Sequence, residues 1–224
     1  MSDYPKLPYP ALPALSDAER EAHALATYEI LQSRRTCREF APTQVPRAVI
    51  EAALLAAGTA PSGANHQPWH FAVVSSPEKR RAIREGAEVE ERAFYAGKAG
   101  KEWLEALAPL GTDESKPFLE AAPWLIAVFS QRRGGPQPGD NRQNYYVTES
   151  VGIAVGMLLS ALHAAGLATL THTPAPMKFL NRICNRPADE KPLLLVVVGH
   201  PAPDATVPVH AVQRKPLDQI SSWL

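Results

Sequence analysis

The chain has 224 residues, and its 23 basic and 23 acidic side chains give a formal net charge of +0. That length is enough to bury a substantial core in one large domain or two small ones. The neutral balance excludes a global field drawing the protein to nucleic acid or anionic lipid. Cys37 and Cys184 form neither a CxxC nor a zinc pattern, and no pair of histidines suggests a metal site. With no signal-peptide pattern at the N-terminus, the reading is a cytoplasmic protein with free thiols.

In chain order, residues 1–15 are proline-rich and expected to run as an extended arm. Ser16 and Glu19 then form a capping box for a helix reaching about Gln32. Its end delivers Arg34, Arg35 and Arg38, three guanidinium groups in five residues, with Ser33 and Thr36 beside them. Guanidinium groups donate paired hydrogen bonds, so this cluster suits a phosphate; on charge alone a solvated basic turn is the commoner reading. Pro46 opens a second helix that turns Val49, Ala53, Leu54 and Ala57 inward and ends at Gly58.

Residues 59–69, TAPSGANHQPW, read as a loop in which prolines limit freedom. Ser62, Gly63 and Ala64 are too small there to keep a ligand from the backbone N–H groups. A tight connection with a packed Trp69 fits the composition equally well. A strand over 70–74 follows, and Ser76-Pro77 starts a third helix running to about Arg92. From 93 to 117 the pattern loosens, with Gly97, Gly100 and Gly111 set among amphipathic pieces around Trp103, Leu104 and Leu107. Such a segment is expected to order over a ligand.

The apolar run 124–129, after Pro123, predicts a buried strand, and 132–140 an exposed loop. Residues 150–177 contain no Asp, Glu, Lys or Arg, a span long enough for a bilayer. Gly166, a strand over 167–171, Pro174 and Pro176 interrupt it, so a central buried helix starting near Tyr146 is expected instead. Gly152, Gly156, Ser160 and Ala164 make a thin ridge on which another helix can pack, at a subunit interface for example. A short helix at 177–184, a strand over 193–198 and a tail at 205–224 complete the chain. Helices interleaved with strands indicate one α/β-type domain.

The stretches RRTCREF, GTAPSGANHQPW, FLEAAPWLIAVF, NYYVTESVGIAVGMLLSALHAAGL, THTP and RPADEKPLLLVVVGHP resemble the nitroreductase-like flavoproteins, and among them the halotyrosine deiodinases. The resemblance covers about residues 31–220. It implies an α+β fold, a central mostly antiparallel sheet flanked by helices, in an intertwined homodimer with FMN at the interface. One FMN domain would span 1–224, with 91–117 as an active-site lid and 205–224 extending toward the partner subunit.

Arg34, Arg35, Thr36, Arg38 and Arg214 would bind the FMN phosphate end. Pro61, Ser62 and Gly63 would meet the flavin pyrimidine edge, and Thr171, His172 and Thr173 would lie near its reactive nitrogen, with Thr173 favouring single-electron steps. Another threonine is expected where His172 stands. Glu91, Tyr95 and Lys116 match the lid residues that clamp the amino-acid end of a halotyrosine. The spacing supports this, since positions i and i+4 share a helix face, although a solvated charged helix explains the same residues without the resemblance. The Ala64 N–H would hold the substrate phenolate. The implied activity is reductive removal of halide from 3-halotyrosines, fed by NAD(P)H directly or through a reductase. A general nitroreductase or quinone reductase, and a non-enzymatic FMN- or halotyrosine-binding protein, are the rival readings.

Overall fold

In the computed structural model, residues 4–224 are described; Met1, Ser2 and Asp3 of the expected arm lie outside them. The chain divides into two compact units, Met1–Ser33 and Arg34–Leu224. In the first, residues 4–15 form neither helix nor strand. The Ser16 hydroxyl then accepts the Glu19 N–H while the Glu19 carboxylate accepts the Ser16 N–H, the expected capping box, which opens α1 (Asp17–Gln32). α1 buries no residue, and Leu25, Tyr28 and Ile30 on it are exposed.

The second unit is built on a four-stranded sheet of β1 (Trp69–Val74), β2 (Trp124–Ser130), β5 (Ala168–His172) and β6 (Lys191–Gly199), in the order β1-β2-β6-β5. Every neighbouring pair is antiparallel. This bears out the antiparallel α+β sheet and corrects the α/β arrangement that interleaved elements imply by themselves: the helical connections from β1 to β2 and from β5 to β6 return the chain in the opposite direction.

β2 is apolar from Trp124 to Phe129 because both of its faces are covered, and its period of two separates two cores. Leu125, Ala127 and Phe129 pack in one cluster with Ile83 and Ala87 of α3 (Pro77–Ala93), Phe118 of α5 (Phe118–Ala121) and Leu180 of α7 (Phe179–Ile183). Ile126 and Val128 pack in another with Ile50, Ala53 and Ala57 of α2 (Arg47–Gly58) and Val151, Val155 and Leu158 of α6 (Val147–Ala164). Val49 and Leu54, expected inside, are only half-buried, and Ile50 takes the core position instead.

α6 starts after Tyr146 in the left-handed region and is followed by Gly166 at φ 76°. Among the described residues it is the one helix long and apolar enough to cross a membrane by length and composition. Its stripe of Val151, Ala154, Val155, Leu158 and Leu162 accounts for that character by packing on the sheet. The expected central burial is therefore one-sided. Gly152 and Gly156 are exposed, with nothing within 4 Å of where a Cβ would stand.

Residues 93–117 are more regular than their glycines predict. α3 runs into a π-turn at Phe94–Lys98, broken at Gly97 (φ 139°), then α4 (Lys101–Leu107) and a 3-10 turn at Ala108–Leu110. The expected loop after β2 carries a two-residue hairpin, β3 (Arg133–Gly134) with β4 (Arg142–Gln143). The tail holds only a 3-10 turn and α8 (Leu217–Ile220), and leaves Trp223 exposed.

Candidate active site

The C-terminal end of α3, the π-turn after it and the end of β5 enclose a cavity of about 370 Å³. Ser76, whose hydroxyl accepts the Lys79 N–H, starts α3 as expected, and Pro77 takes its first position. About four turns later the helix carries Glu91 into the cavity, and the π-turn then adds Tyr95, where they meet Lys116, Thr171, His172 and Thr173. Lys116 is buried, and its Nζ lies 3.3 Å from Glu91 Oε2. The same ammonium donates to the Thr112 hydroxyl at 3.2 Å and to the Asp113 carbonyl. Tyr95 donates its hydroxyl to the Thr112 carbonyl at 3.0 Å, with its ring 5.7 Å from the lysine ammonium.

Burial raises the Glu91 carboxyl above its ordinary pKa, and the neighbouring Lys116 charge partly opposes that. The Tyr95 phenol is pushed up by burial, against the hydrogen bond to Thr112. His172 is held neutral: burial first, then the Lys116 and Arg38 charges, lower its pKa to about 3. The site thus pairs an acid with a cation in a partly apolar chamber walled by Phe94, Phe118 and Trp103.

A second positive region is built where residues 36–41 run beside the sheet. Cys37 N–H donates to Thr169 O at 3.0 Å, Thr36 bridges to Thr169, and Ala41 N–H donates to His200 O. This pairing carries Arg38 to the cavity wall and leaves Arg34 and Arg35 at its outer end. Burial lowers the Arg34 pKa, and the Arg214 and Arg35 charges lower it further, so these three guanidinium groups share one neighbourhood. Among the described residues no carboxylate lies within ion-pair distance of Arg34 or Arg214.

The loop after α2 has an unusual backbone. Ala64, Asn65 and Gln67 lie at φ 52°, 55° and 51°, a left-handed run that L-residues adopt reluctantly. The Ser62 hydroxyl accepts the Gln67 N–H, Ser62 O the Asn65 N–H, and Gly63 O the His66 N–H. The Gly63 N–H reaches the Ser150 hydroxyl at 3.4 Å. Among the described residues the Ala64 N–H in this run has no acceptor, and Ala64 is exposed. Gly63 is required by close approach: a Cβ there would stand 2.6 Å from the Tyr145 carbonyl oxygen.

A family profile described as the nitroreductase family matches residues 31–200, three quarters of the chain. The chain belongs to the nitroreductase family. An iodotyrosine deiodinase of Haliscomenobacter hydrossis is 54% identical over 188 residues, covering 84% of each chain. One of Nematostella vectensis is 40% identical over 216 residues, 96% of this chain and 81% of its own. The crystal structure of an oxidized iodotyrosine deiodinase bound to FMN and 3-iodo-L-tyrosine superposes with a TM-score of 0.73 at 31% identity, over 85% of this chain and 96% of that one.

Within this nitroreductase-family fold, the structure gathers Arg38, Glu91, Tyr95, Lys116, Thr171, His172 and Thr173 around one cavity. Arg34, Arg35 and Arg214 form the separate basic group, with Thr36 on the β5 edge. Pro61, Ser62, Gly63 and Ala64 lie on the left-handed loop and do not line that cavity. Sequence reasoning missed the residues that hold the clamp in place. Glu88 accepts the Lys116 backbone N–H at 2.9 Å and pairs with Arg84, which also binds Glu120 at 2.6 Å. The Arg84 to Glu88 spacing of four is visible in the sequence as a helix-face pair. Thr112, which serves both Tyr95 and Lys116, carries no such local signal. Nor does Asn144, whose Oδ1 accepts from His66 Nδ1 at 2.9 Å and whose Nδ2 donates to Gln131 O, fastening the loop to the β3-β4 hairpin.

Proposed function

We propose that this chain is an FMN-dependent reductive dehalogenase that converts 3-iodo-L-tyrosine and related halotyrosines to tyrosine and halide. The observation that carries the reading is the meeting of Glu91, Tyr95 and Lys116 in one cavity beside Thr173. An acid, a phenol and an ammonium group match the two charges of a free amino acid, and the deiodinase relatives support a halotyrosine as that amino acid.

The residues present fit FMN. Arg34, Arg35, Thr36, Arg38 and Arg214 would hold its phosphate end, since neighbouring guanidinium groups suit a phosphate and no carboxylate pairs with Arg34 or Arg214 among the described residues. Pro61, Ser62 and Gly63 would hold the pyrimidine edge, and Thr171, His172 and Thr173 the part nearer the cavity. When bound and reduced, FMN supplies the two electrons that the reaction consumes. In balance, those electrons and one proton convert the carbon–halogen bond to carbon–hydrogen, and the halide leaves with the bonding pair.

The chain's own groups bind and orient. Glu91 receives the α-ammonium and Lys116 and Tyr95 receive the α-carboxylate, while the Ala64 N–H that holds the phenolate oxygen, lying outside this cavity, would come from the second copy in the homodimer. Because Glu91 and Lys116 now bind each other, substrate entry exchanges one ion pair for two. Residues 91–117 then act as a lid that keeps water from the reacting carbon. On this reading the whole chain is one FMN domain working as a cytoplasmic homodimer, with electrons from NAD(P)H directly or through a reductase. The open Gly152 and Gly156 face and the exposed Leu217, Ile220 and Trp223 support a second copy as partner. Anaerobically reduced holoenzyme mixed with 3-iodotyrosine should return to the oxidised spectrum and release one iodide per flavin. Flavin that stays reduced would sink the proposal.

A further inference from the structure

One buried polar atom in the cavity has no partner. His172 is 9% exposed, and its Nε2 is shielded from solvent without a hydrogen bond. Phe118 meets the ring edge-on, with centroids 5.7 Å apart, so packing orients the imidazole. Nε2 faces Glu91 Oε1 at 3.8 Å, while Lys116 Nζ faces the other oxygen, Oε2, at 3.3 Å. The first distance exceeds an N–H···O hydrogen bond by roughly 0.6–1 Å. The two carboxylate oxygens thus have different neighbours, one already engaged and one facing a nitrogen just out of reach.

We propose that His172 is a positioning residue for Glu91: its Nε2–H closes on Oε1 when the α-ammonium of a halotyrosine replaces Lys116 at Oε2. This rests on the proposed function. Once Lys116 turns to the ligand's carboxylate, nothing holds Glu91 toward the lysine, and a small rotation brings Oε1 onto the waiting nitrogen. The carboxylate is then anchored through one oxygen while the other binds ligand. The charged groups facing the ring are Glu91 from α3, Lys116 from the segment before α5, and Arg38 from the strand-like segment beside β5. With both cations near and the ring buried, the imidazole stays neutral and carries a single N–H. A threonine at this position would place its hydroxyl next to Cβ, short of the reach that the imidazole provides.

Two measurements on the FMN-loaded protein test this. In the ligand-free holoenzyme, imidazole 15N resonances should show the proton of His172 on Nε2. Flavin absorbance titrations should then show that His172→Leu loses about tenfold more affinity for 3-iodotyrosine than for 2-iodophenol, which lacks the amino-acid end. His172→Gln, which restores an N–H donor, should recover most of that difference, and His172→Leu should add little further loss in a Glu91→Gln background. A proton on Nδ1, or equal losses on both ligands, overturns the role of His172 alone. Wild-type holoenzyme with no halogen-dependent affinity for 3-iodotyrosine overturns the proposed function itself.

Discussion

Arg34, Arg35 and Arg214 gather with no carboxylate within ion-pairing distance of Arg34 or Arg214, whereas Glu91 and Lys116 in the cavity already pair with each other. Both regions are built for charge, but they hold it differently. An anion arriving at the arginines relieves repulsion and gains hydrogen bonds. A zwitterion arriving at the lid must first separate Glu91 from Lys116, so its affinity is the difference between two sets of contacts. The cofactor end should therefore tolerate loss of one group, while the lid should not.

The largest expected effect breaks the lid pair. Lys116→Ala leaves the ligand's α-carboxylate without its ammonium partner, and removing one partner of a buried ion pair costs about 3–5 kcal/mol. Halotyrosine affinity should fall at least about 100-fold, as read by flavin absorbance, and far more than the rate of nitroaromatic reduction falls. At the arginines, Arg34→Ala removes one charge-assisted contact worth about 1.5–3 kcal/mol. FMN affinity should drop about tenfold to 100-fold by fluorescence titration, with the remaining arginines still binding. Equal collapse at both sites would erase the contrast between them.

A smaller effect is expected with pH. The folded His172 pKa lies below its ordinary 6.5, at about 3, so the unfolded chain takes up that proton first. Its contribution to stability is complete above about pH 6.5 and is lost as pH falls toward about 3, to the order of a few kcal/mol. Glu91 has the opposite sign: its folded pKa is raised, so the native state takes up its proton first and regains stability as pH falls. Urea unfolding from pH 7 down to 4 should therefore show a flatter profile for His172→Leu than for the parent protein. Identical profiles would mean that the imidazole is not held neutral by its surroundings.

Local signals were legible in the sequence because the physics behind them is local. Ser16 with Glu19, Ser76 with Pro77 and the run 124–129 each determine an element within a few residues, and the structure has all three. The direction of strand pairing was not readable from interleaved elements, since it depends on which distant edges meet. The glycine-rich 93–117 segment misled in the other direction, because Gly97 and Gly111 supply positive φ between helical turns without dissolving them. At the site, Glu91 and Tyr95 were visible as an i, i+4 pair. Their partner Lys116 and the supporting Thr112 come from across a chain reversal, and the unpartnered Nε2 of His172 exists only once Phe118 and Glu91 close around it.

On the proposed function, the lid recognises a halotyrosine by both its amino-acid end and its halogen-bearing ring. The most direct test of this recognition is titration of the oxidised FMN-loaded protein with 3-iodotyrosine, tyrosine and 2-iodophenol, followed by flavin absorbance. The expected result is tight, saturable binding of 3-iodotyrosine alone, with each of the other two weaker by about 100-fold or more. Comparable affinity for all three ligands would contradict it.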